Sequence, residues 1–429
     1  MNGIFFALVL IAFGAGAWQQ WHTPAGAAGV MQALSSAMVD SAKSSVELAI
    51  GLVGVMALFL GLMKVAEAGG LLVILARLIR PLMTRLFPDV PPEHPAMGAM
   101  VMNISANVMG LGNAATPFGI RAMQELDRLN PVKGTATDAM VLFLAINTSS
   151  VTLLPTSVIA LRASLGSHDP AAVLPTTLFA TLCSTTVAIV AAKLLQNRYP
   201  VGDSAATTPV AAVGQDIPAG ESAPPLPPAY PPWVSLLVLG GVVAFIPLTI
   251  LYGSALSPWV LPGLMVAMLG FGWVRKVAVY EQFVEGAREG FDVAVRIIPY
   301  LVAILTAVGL FRASGALDWL VTALSPVVAS VGMPPETIPM ALLRSLSGSG
   351  AYGYMASLME HPATGPDSLS GLIVGTIQGS SETTFYVLAV YFGAVGVRRM
   401  RHAIAAGLIG DFVGVLASVV ICNLLYTGG

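Results

Sequence analysis

Charged residues are scarce in this sequence, making up only 10% of 429 residues, whereas a soluble domain carries about 25%. No block of like charges occurs and the formal net charge is −2, which excludes the basic surface that nucleic-acid binding requires. Hydrophobic residues make up 56%, and the mean hydropathy is +0.80. The composition therefore predicts an integral membrane protein, an all-α polytopic chain whose spans are helices.

Cysteine and histidine are also rare. Cys183 and Cys422 both lie in apolar segments without a C-x-x-C motif, so we expect packing roles and rank a redox or metal role below them. The five histidines are scattered at predicted loops and segment ends, and no zinc-type spacing occurs. We therefore predict no bound metal and no cofactor.

Enzymatic motifs are missing as well. The sequence contains no G-x-S-x-G, no H-E-x-x-H and no phosphate-binding loop, and no nucleotide-binding domain that could drive active transport. We predict that the protein is not an enzyme. An intramembrane hydrolase is the alternative that the sequence leaves open, although the serine-rich motifs described below have no nearby histidine or lysine base.

The first apolar segment lacks a preceding basic residue. Residues 3–17 have the length of a signal-peptide core, and small residues follow them. Because secretory signals normally begin with a basic region, we expect a retained membrane helix; cleavage is the alternative.

A Pro- and Ala-rich stretch divides the chain into two halves. The predicted organisation is a first half (1–198), a disordered linker (199–231) and a second half (232–429). The first half is predicted to contain an amphipathic interfacial helix at 29–46, a span at 48–65, and Gly- and Pro-interrupted segments at 68–86, 96–128 and 137–161. A last apolar segment at 171–195 ends this half. The second half predicts spans at 233–252 and 257–274, an amphipathic stretch at 277–295, a span at 297–311, an interrupted region at 315–360, and segments at 370–397 and 402–426.

The two halves repeat one polar motif. Ile146-Asn147-Thr148-Ser149-Ser150-Val151-Thr152 in the first half corresponds to Ile377-Gln378-Gly379-Ser380-Ser381-Glu382-Thr383 in the second. Pro91-Pro92-Glu93 and Pro334-Pro335-Glu336 match in the same order, which indicates an internal duplication.

Basic residues predict how the halves are oriented. The loop after the second motif carries Arg398, Arg399 and Arg401, whereas the equivalent loop at 163–170 has no Lys or Arg of its own. The first loop is expected in the cytoplasm together with the linker, and the second outside. Equivalent loops on opposite faces predict two inverted-topology repeats.

Inverted repeats with interrupted helices are typical of secondary transporters, which bind solute near the middle of the membrane. If the second motif is helical, Gln378, Ser381 and Glu382 share one face. The alternative is that such polar side chains only hydrogen-bond between helices. The residues predicted to line a central site are Asn103, Asn107, Asn113, Asn147, Ser149, Ser150, Gln378, Ser380, Ser381 and Glu382.

Three charged residues fall within apolar segments, where a charge is costly and often functional. Glu382 is predicted either to be a protonatable coupling group or to pair structurally with Arg344. Asp411 has the same two alternatives but lies nearer the end of its segment.

These motifs resemble a known family. The first half is similar to the spore maturation protein A family at Asn103-Ile104-Ser105-Ala106-Asn107, Gly110-Leu111-Gly112-Asn113 and the motif at 146–152. The second half is similar to the spore maturation protein B family at Ser347-Gly348-Ser349-Gly350-Ala351, the motif at 377–383 and Val390-Tyr391-Phe392-Gly393. The two are usually separate polypeptides, whereas here the linker joins them.

Both families belong to the nucleoside-recognition, or gate, superfamily, which also includes the membrane part of ferrous iron transporters. The resemblance implies membrane transport or gating without naming a substrate. We predict a secondary transporter of a small polar solute in the bacterial inner membrane, with the bilayer as its surroundings; a homodimer is compatible with this architecture. The alternatives are a non-transporting envelope scaffold and a passive channel.

Overall fold

The structure, a computed structural model, describes residues 2–22, 29–199 and 228–427. The helices before the linker are α1 (Asn2–His22), α2 (Val30–Ala68), α3 (Leu71–Leu86), α4 (Pro95–Val108), α5 (Gly112–Arg128), α6 (Asp138–Thr148), α7 (Thr156–Ser164) and α8 (Val173–Leu195). The helices after it are α9 (Pro232–Val274), α10 (Val279–Ala313), α11 (Ala316–Ala329), α12 (Ile338–Leu346), α13 (Gly348–Glu360), α14 (Leu369–Ser380), α15 (Thr384–Gly393) and α16 (Ala403–Thr427). Within these ranges the chain forms no β-strand beyond one isolated bridge between Thr135 and Arg399.

Four of the described helices are long and apolar enough to cross a membrane, namely Val30–Ala68, Pro170–Arg198, Val279–Ala313 and Ala403–Tyr426. Backbone amides in hydrocarbon must find partners inside the protein, and a helix provides them within a single segment. The prediction of an all-helical membrane protein is confirmed for the described residues.

Two predicted boundaries are wrong. The interfacial helix at 29–46 and the span at 48–65 form one helix, α2, and the spans at 233–252 and 257–274 form one helix, α9. Polar or glycine residues between apolar segments do not end a helix inside a membrane, because ending it would leave backbone N–H and C=O groups without hydrogen-bond partners. The linker prediction falls on residues 200–227, which lie outside the described part of the chain.

The longest contact between the two halves is the packing of α2 against α10. Gly286 and Gly290 on α10 form a G-x-x-x-G pair, and they face Ala57 and Gly61 on α2. A Cβ atom added to Gly290 would lie 2.6 Å from the Ala57 Cα atom, and one added to Gly286 would lie 2.5 Å from the Leu60 carbonyl oxygen. Small residues thus let the two backbones touch, as in closely packed membrane helix pairs.

Helices from the two halves also alternate around the centre of the molecule. α8 packs against α16, and the motif-bearing helices α6 and α14 each contact both of them. Thr176 on α8 and Thr376 on α14 share a hydrogen bond of 2.7 Å between their hydroxyl oxygens, both fully buried. The core is therefore built jointly by both halves.

At one end of this core, a group that we call the Arg162 cluster ties the loop after α7 to the loop before α14. Arg162, 1% exposed, donates hydrogen bonds to the Pro366 carbonyl and to the Asp169 carbonyl at 2.9 Å. It also pairs with the Asp367 carboxylate at 3.1 Å. The His168 N–H donates to the other oxygen of that carboxylate at 2.8 Å.

The Arg401 cluster ties the halves at the loop after α15. Arg401 forms an ion pair of 2.7 Å with Asp138, the first residue of α6, and donates to the carbonyls of Ala136 and Tyr199. The Ala136 N–H donates to the Arg399 carbonyl at 3.0 Å. Each motif-bearing helix therefore begins beside an arginine from the other half.

Asp367 is expected to make the free energy of unfolding decrease at acidic pH. It lies in a loop outside the four membrane-spanning helices. Its partial burial acts to raise its pKa. Hydrogen bonds from the Ser167 hydroxyl and the His168 N–H, together with the charge of Arg162, nevertheless hold the pKa of Asp367 below its ordinary 3.8. A carboxyl whose pKa is lowered by folding stabilises the fold above its ordinary pKa, and this contribution is lost as the pH falls through the lowered value.

We therefore expect Asp367→Asn to lower the unfolding temperature of the purified protein at neutral pH. The gap to wild type should then shrink below about pH 4, where the wild-type carboxylate takes up its proton. Thermal unfolding in detergent measured from neutral pH to pH 3 tests this. A gap of constant size over that range would show that the ionised carboxylate contributes nothing to stability.

Candidate solute-binding site

The first polar motif lies at the C-terminal end of α6. Thr137 caps the start of this helix with its side chain, and the helix ends at Thr148. The Ser149 hydroxyl donates to the Ala145 carbonyl at 2.7 Å. Such hydroxyls compete with backbone amides for the same carbonyls and favour a helix end. Residues 149–155 then connect α6 to α7 without helical structure.

The second motif lies at the C-terminal end of α14 in the same way. Ser368 caps the start of the helix, which ends at Ser380, and Ser381 has an extended backbone with φ −155° and ψ 167°. The expectation that Gln378, Ser381 and Glu382 share one helix face is therefore wrong. The helical spacing stops at Ser380, so the next two residues follow an extended path.

The two motifs meet through their backbones. The Glu382 N–H donates a hydrogen bond of 2.7 Å to the Thr148 carbonyl. That carbonyl belongs to the last turn of α6, where carbonyls have no partner within the helix. The extended segment after α14 therefore completes the end of α6, and residues far apart in sequence are joined at one point.

An amide network lies beside this junction. The Asn107 side chain donates to the Asn147 side-chain oxygen at 2.9 Å, and the Tyr391 hydroxyl lies 3.4 Å from the same oxygen. Asn103 donates to the Tyr391 hydroxyl at 3.1 Å. The network joins α4 and α6 of the first half to α15 of the second half. Sequence reasoning missed Tyr391, although a tyrosine within an apolar helix signals a hydroxyl that needs a partner.

A cavity of about 170 Å³ opens next to the junction. The last turns of α4, α12 and α14 and the first residues of α7 and α13 surround it, so both halves contribute to its wall. Of the predicted site residues, it brings together Asn107, Gln378, Ser381, Glu382 and Arg344. The full lining is Asn107, Gly110, Thr152, Leu154, Pro155, Thr156, Ser157, Val158, Arg344, Gly348, Gln378, Gly379, Ser381 and Glu382.

The cavity wall contains charges of both signs. Arg344 is 4% exposed, and its Nη1 atom donates to the Thr383 hydroxyl at 3.2 Å. Its Nη2 atom lies 4.0 Å from the Glu382 carboxylate, the outer limit for an ion pair, and its Nε atom has no hydrogen-bond partner. The Glu382 side chain is 51% exposed. The glutamate is thus beside Arg344 without being fully engaged by it.

Several predicted site residues lie behind this wall. Asn103 and Asn147 belong to the amide network, and the Asn147 side chain also donates to the Phe143 carbonyl at 2.9 Å. The hydroxyl of Ser380, like that of Ser149, donates to a carbonyl of its own helix, here Ile377 at 2.9 Å. These contacts match the role of interhelical and intrahelical support that the sequence left as the alternative.

The remaining predicted residues are Ser150, Asp411 and Asn113. Ser150 lines a separate, mainly apolar cavity of about 340 Å³ between α3, α4, α8 and α9. Asp411 is buried directly behind the cavity wall, where it accepts a hydrogen bond from the Thr384 hydroxyl at 2.7 Å and interacts with Ser381 and Arg344 of the lining. The Asn113 side chain lies outside the described part of the structure.

Metal ligands do not gather in the residues that the structure describes, where no group of three His, Cys, Asp or Glu side chains could hold an ion. Cys422 is buried with its sulfur 3.3 Å from the Thr376 hydroxyl. Cys183 is half-buried and is not among the lining residues of the cavity.

Comparison with known proteins identifies the family. The family model Gate, described as nucleoside recognition, matches residues 49–196 and 294–398. The chain belongs to the Gate family. This Gate protein is 45% identical to spore maturation protein B of Bacillus subtilis (strain 168) over 171 residues, which are 40% of this chain and 95% of that protein. It is 46% identical to spore maturation protein A of the same organism over 162 residues, 38% of this chain and 83% of that protein.

The two relatives match different parts of the Gate protein, as expected for a fusion, and the predicted resemblance is confirmed. The inner membrane protein YjiG of Escherichia coli (strain K12) is 36% identical over 96 residues, 22% of this chain and 62% of that protein. No solved structure matches the chain. Together with the apolar helices, these similarities identify an integral membrane protein.

Proposed function

We propose that this Gate protein is a secondary transporter and that a small polar solute binds in the 170 Å³ cavity. The observation that carries the proposal is the position of that cavity. It lies where the two copies of the polar motif meet, and residues from both halves line it. Transporters built from repeats place their substrate at such an interface and use helix ends to replace water around it.

The chain path supports inverted repeats with interrupted helices. The first motif-bearing pass, α6 followed by α7, begins at Asp138 beside Arg401 and ends at Arg162 beside Asp367. The second pass, α14 followed by α15, begins just after Asp367 and leads to Arg401. The two passes thus run in opposite directions between the same two clusters.

The clusters also support alternating access. The Arg162 cluster and the Arg401 cluster each tie the two halves together, at opposite ends of these passes, and the cavity lies between them. In the proposed cycle, one cluster at a time loosens and admits solute from one side. From the basic residues at 398–401, the Arg401 cluster and the linker face the cytoplasm in this proposal.

An uptake assay tests the function. We expect proteoliposomes containing the wild type to accumulate at least one solute from a panel of nucleosides, amino acids and organic acids when a proton or sodium gradient is imposed. Gln378→Ala removes an amide from the cavity wall and should reduce uptake about tenfold or more, since a lost hydrogen bond to a buried polar group costs about 1–3 kcal/mol. The matched control is Gln124→Ala, because Gln124 is exposed on α5 and should leave uptake unchanged.

Other outcomes identify the alternatives. Flux that ignores both gradients would indicate a passive channel. No uptake of any solute, with wild type and Gln378→Ala equally folded by size-exclusion chromatography, would overturn transport in favour of an envelope scaffold. A homodimer stays a prediction that the same chromatography can test.

A further inference from the structure

The cavity between the two motifs carries groups for two opposite charges a few ångströms apart. We propose, resting on the transport function above, that its solute is a small aliphatic zwitterion of the amino-acid type. The carboxylate would bind at Arg344 and the start of α13, and the ammonium at Glu382 and the end of α14.

Arg344 and the start of α13 form the side of the cavity that suits a carboxylate. This guanidinium is almost fully buried, yet its Nε atom has no partner. Gly348, the first residue of α13, lines the same cavity, and a Cβ atom added there would lie 3.6 Å from the Arg344 Nη1 atom. The first amides of a helix have no partner within it and carry a positive partial charge. A guanidinium beside such amides can bind an anionic group strongly.

The side that suits an ammonium lies on the second motif. The Glu382 carboxylate is half-exposed at the cavity, and the backbone bond from Glu382 to Thr148 fixes its position. Gln378 lines the same cavity, and its side-chain oxygen has no partner. Gln378 lies in the last turn of α14 and Glu382 just beyond it, next to helix carbonyls that carry a negative partial charge. The two oxygens of the Glu382 carboxylate and the side-chain oxygen of Gln378 are three acceptors on lining residues, which matches the three donors of an ammonium group.

Charge balance favours a solute that carries both groups. Arg344 and Glu382 are the charged residues of the described lining, 4.0 Å apart, and the buried carboxyl of Asp411 behind the lining also acts on Arg344. A lone carboxylate would face Glu382 without compensation, and a lone amine would face Arg344. A zwitterion separates the pair and satisfies both, so the net charge of the cavity stays unchanged when it binds.

The size and surface of the cavity narrow the class further. At about 170 Å³ it is small, and none of its lining residues is aromatic. A nucleobase would therefore find no ring to stack on. Leu154, Pro155 and Val158 provide one apolar patch in the wall, which fits a short aliphatic side chain.

Equilibrium binding to the purified full-length protein tests the proposal with matched probes. L-Alanine carries both groups, propionate lacks the ammonium, and L-alaninamide lacks the carboxylate. We expect L-alanine, glycine or L-valine to stabilise the protein against heating, and propionate and L-alaninamide to bind about tenfold or more weakly, as expected for loss of a hydrogen-bonded charged group. Glu382→Gln should remove the preference for L-alanine over propionate. Arg344→Lys, which keeps the charge but loses Nε, should weaken every carboxylate-bearing probe.

Arg128→Gln, at an exposed arginine of α5, is the control and should bind like wild type. Equal binding of L-alanine and propionate, or an unchanged preference in Glu382→Gln, would overturn the zwitterion while leaving transport intact. Gln378-dependent uptake of a nucleoside or an organic acid in proteoliposomes would do the same. If no probe binds and no solute is taken up, the proposed function itself fails along with this inference.

Discussion

Replacing Gly286 and Gly290 together with leucine is expected to leave almost no folded protein. Both residues sit where α10 touches the backbone of α2, and a Cβ atom at Gly290 would already lie 2.8 Å from the Ala57 nitrogen and the Met56 carbonyl oxygen. Backbone atoms cannot yield as a flexible side chain can, so the helices must separate. Even modest overpacking costs about 1–3 kcal/mol per site, and separating the longest contact between the halves adds the loss of its packing.

Fluorescence-detected size-exclusion chromatography measures this result directly. We expect the monodisperse peak of the double variant to fall to about a tenth of wild type or less, because a total stability of about 5–15 kcal/mol leaves little margin. The matched control is Gly51→Leu with Gly54→Leu on α2, where an added Cβ atom meets nothing within 4 Å. A normal peak for the Gly286/Gly290 variant would show that α2 and α10 do not pack as described.

Arg162→Ala is expected to cause the second largest loss. The guanidinium is 1% exposed and holds two carbonyls and the Asp367 carboxylate, so its removal leaves buried acceptors without donors and a space where the side chain lay. Breaking a buried ionic network from one side costs about 3–5 kcal/mol. Because Asp367 is partly exposed, we expect the lower end of that range, which for a chain of this length corresponds to a fall in unfolding temperature of roughly 3–4 °C.

The control for this prediction is Arg128→Ala. Arg128 also pairs with a carboxylate, Glu125 at 2.8 Å, but its side chain is 72% exposed. Exposed pairs contribute about 0–1 kcal/mol, so this variant should unfold within about 1 °C of wild type. Unfolding temperatures measured side by side in the same detergent compare the two. If both variants shift equally, the Arg162 cluster does not hold the loops together.

Local patterns in the sequence predicted the parts of the fold that depend on local chemistry. Hydropathy placed most spans, whereas the ends of α6 and α14 at the serine-rich motifs were not predicted. The same patterns failed at α2 and α9, where polar residues between apolar segments suggested breaks. In hydrocarbon the backbone keeps its helical hydrogen bonds unless a side chain or another strand of backbone replaces them.

Long-range contacts explain what the sequence did not predict in the candidate site. Asn103 and Asn147 looked equivalent to Asn107, yet Tyr391 from the other half engages both of them and only Asn107 reaches the cavity. Arg162 looked like an edge residue of an external loop, and its burial depends on Asp367 and Pro366, two hundred positions away. The contact of Gly286 and Gly290 with α2 likewise depends on a helix more than two hundred positions away in the sequence.

The packing of α2 on α10 and of α8 on α16 means that the two halves of the sequence do not form two separate units in the structure. Each of these pairs takes one helix from either side of the linker, and the two largest apolar clusters contain residues of both halves. Association of the halves therefore rests on interhelical surface, and the linker adds only a fixed one-to-one ratio and a high local concentration. The covalent connection therefore ensures that the two halves are made in equal amounts, whereas the contacts between their helices hold the fold together.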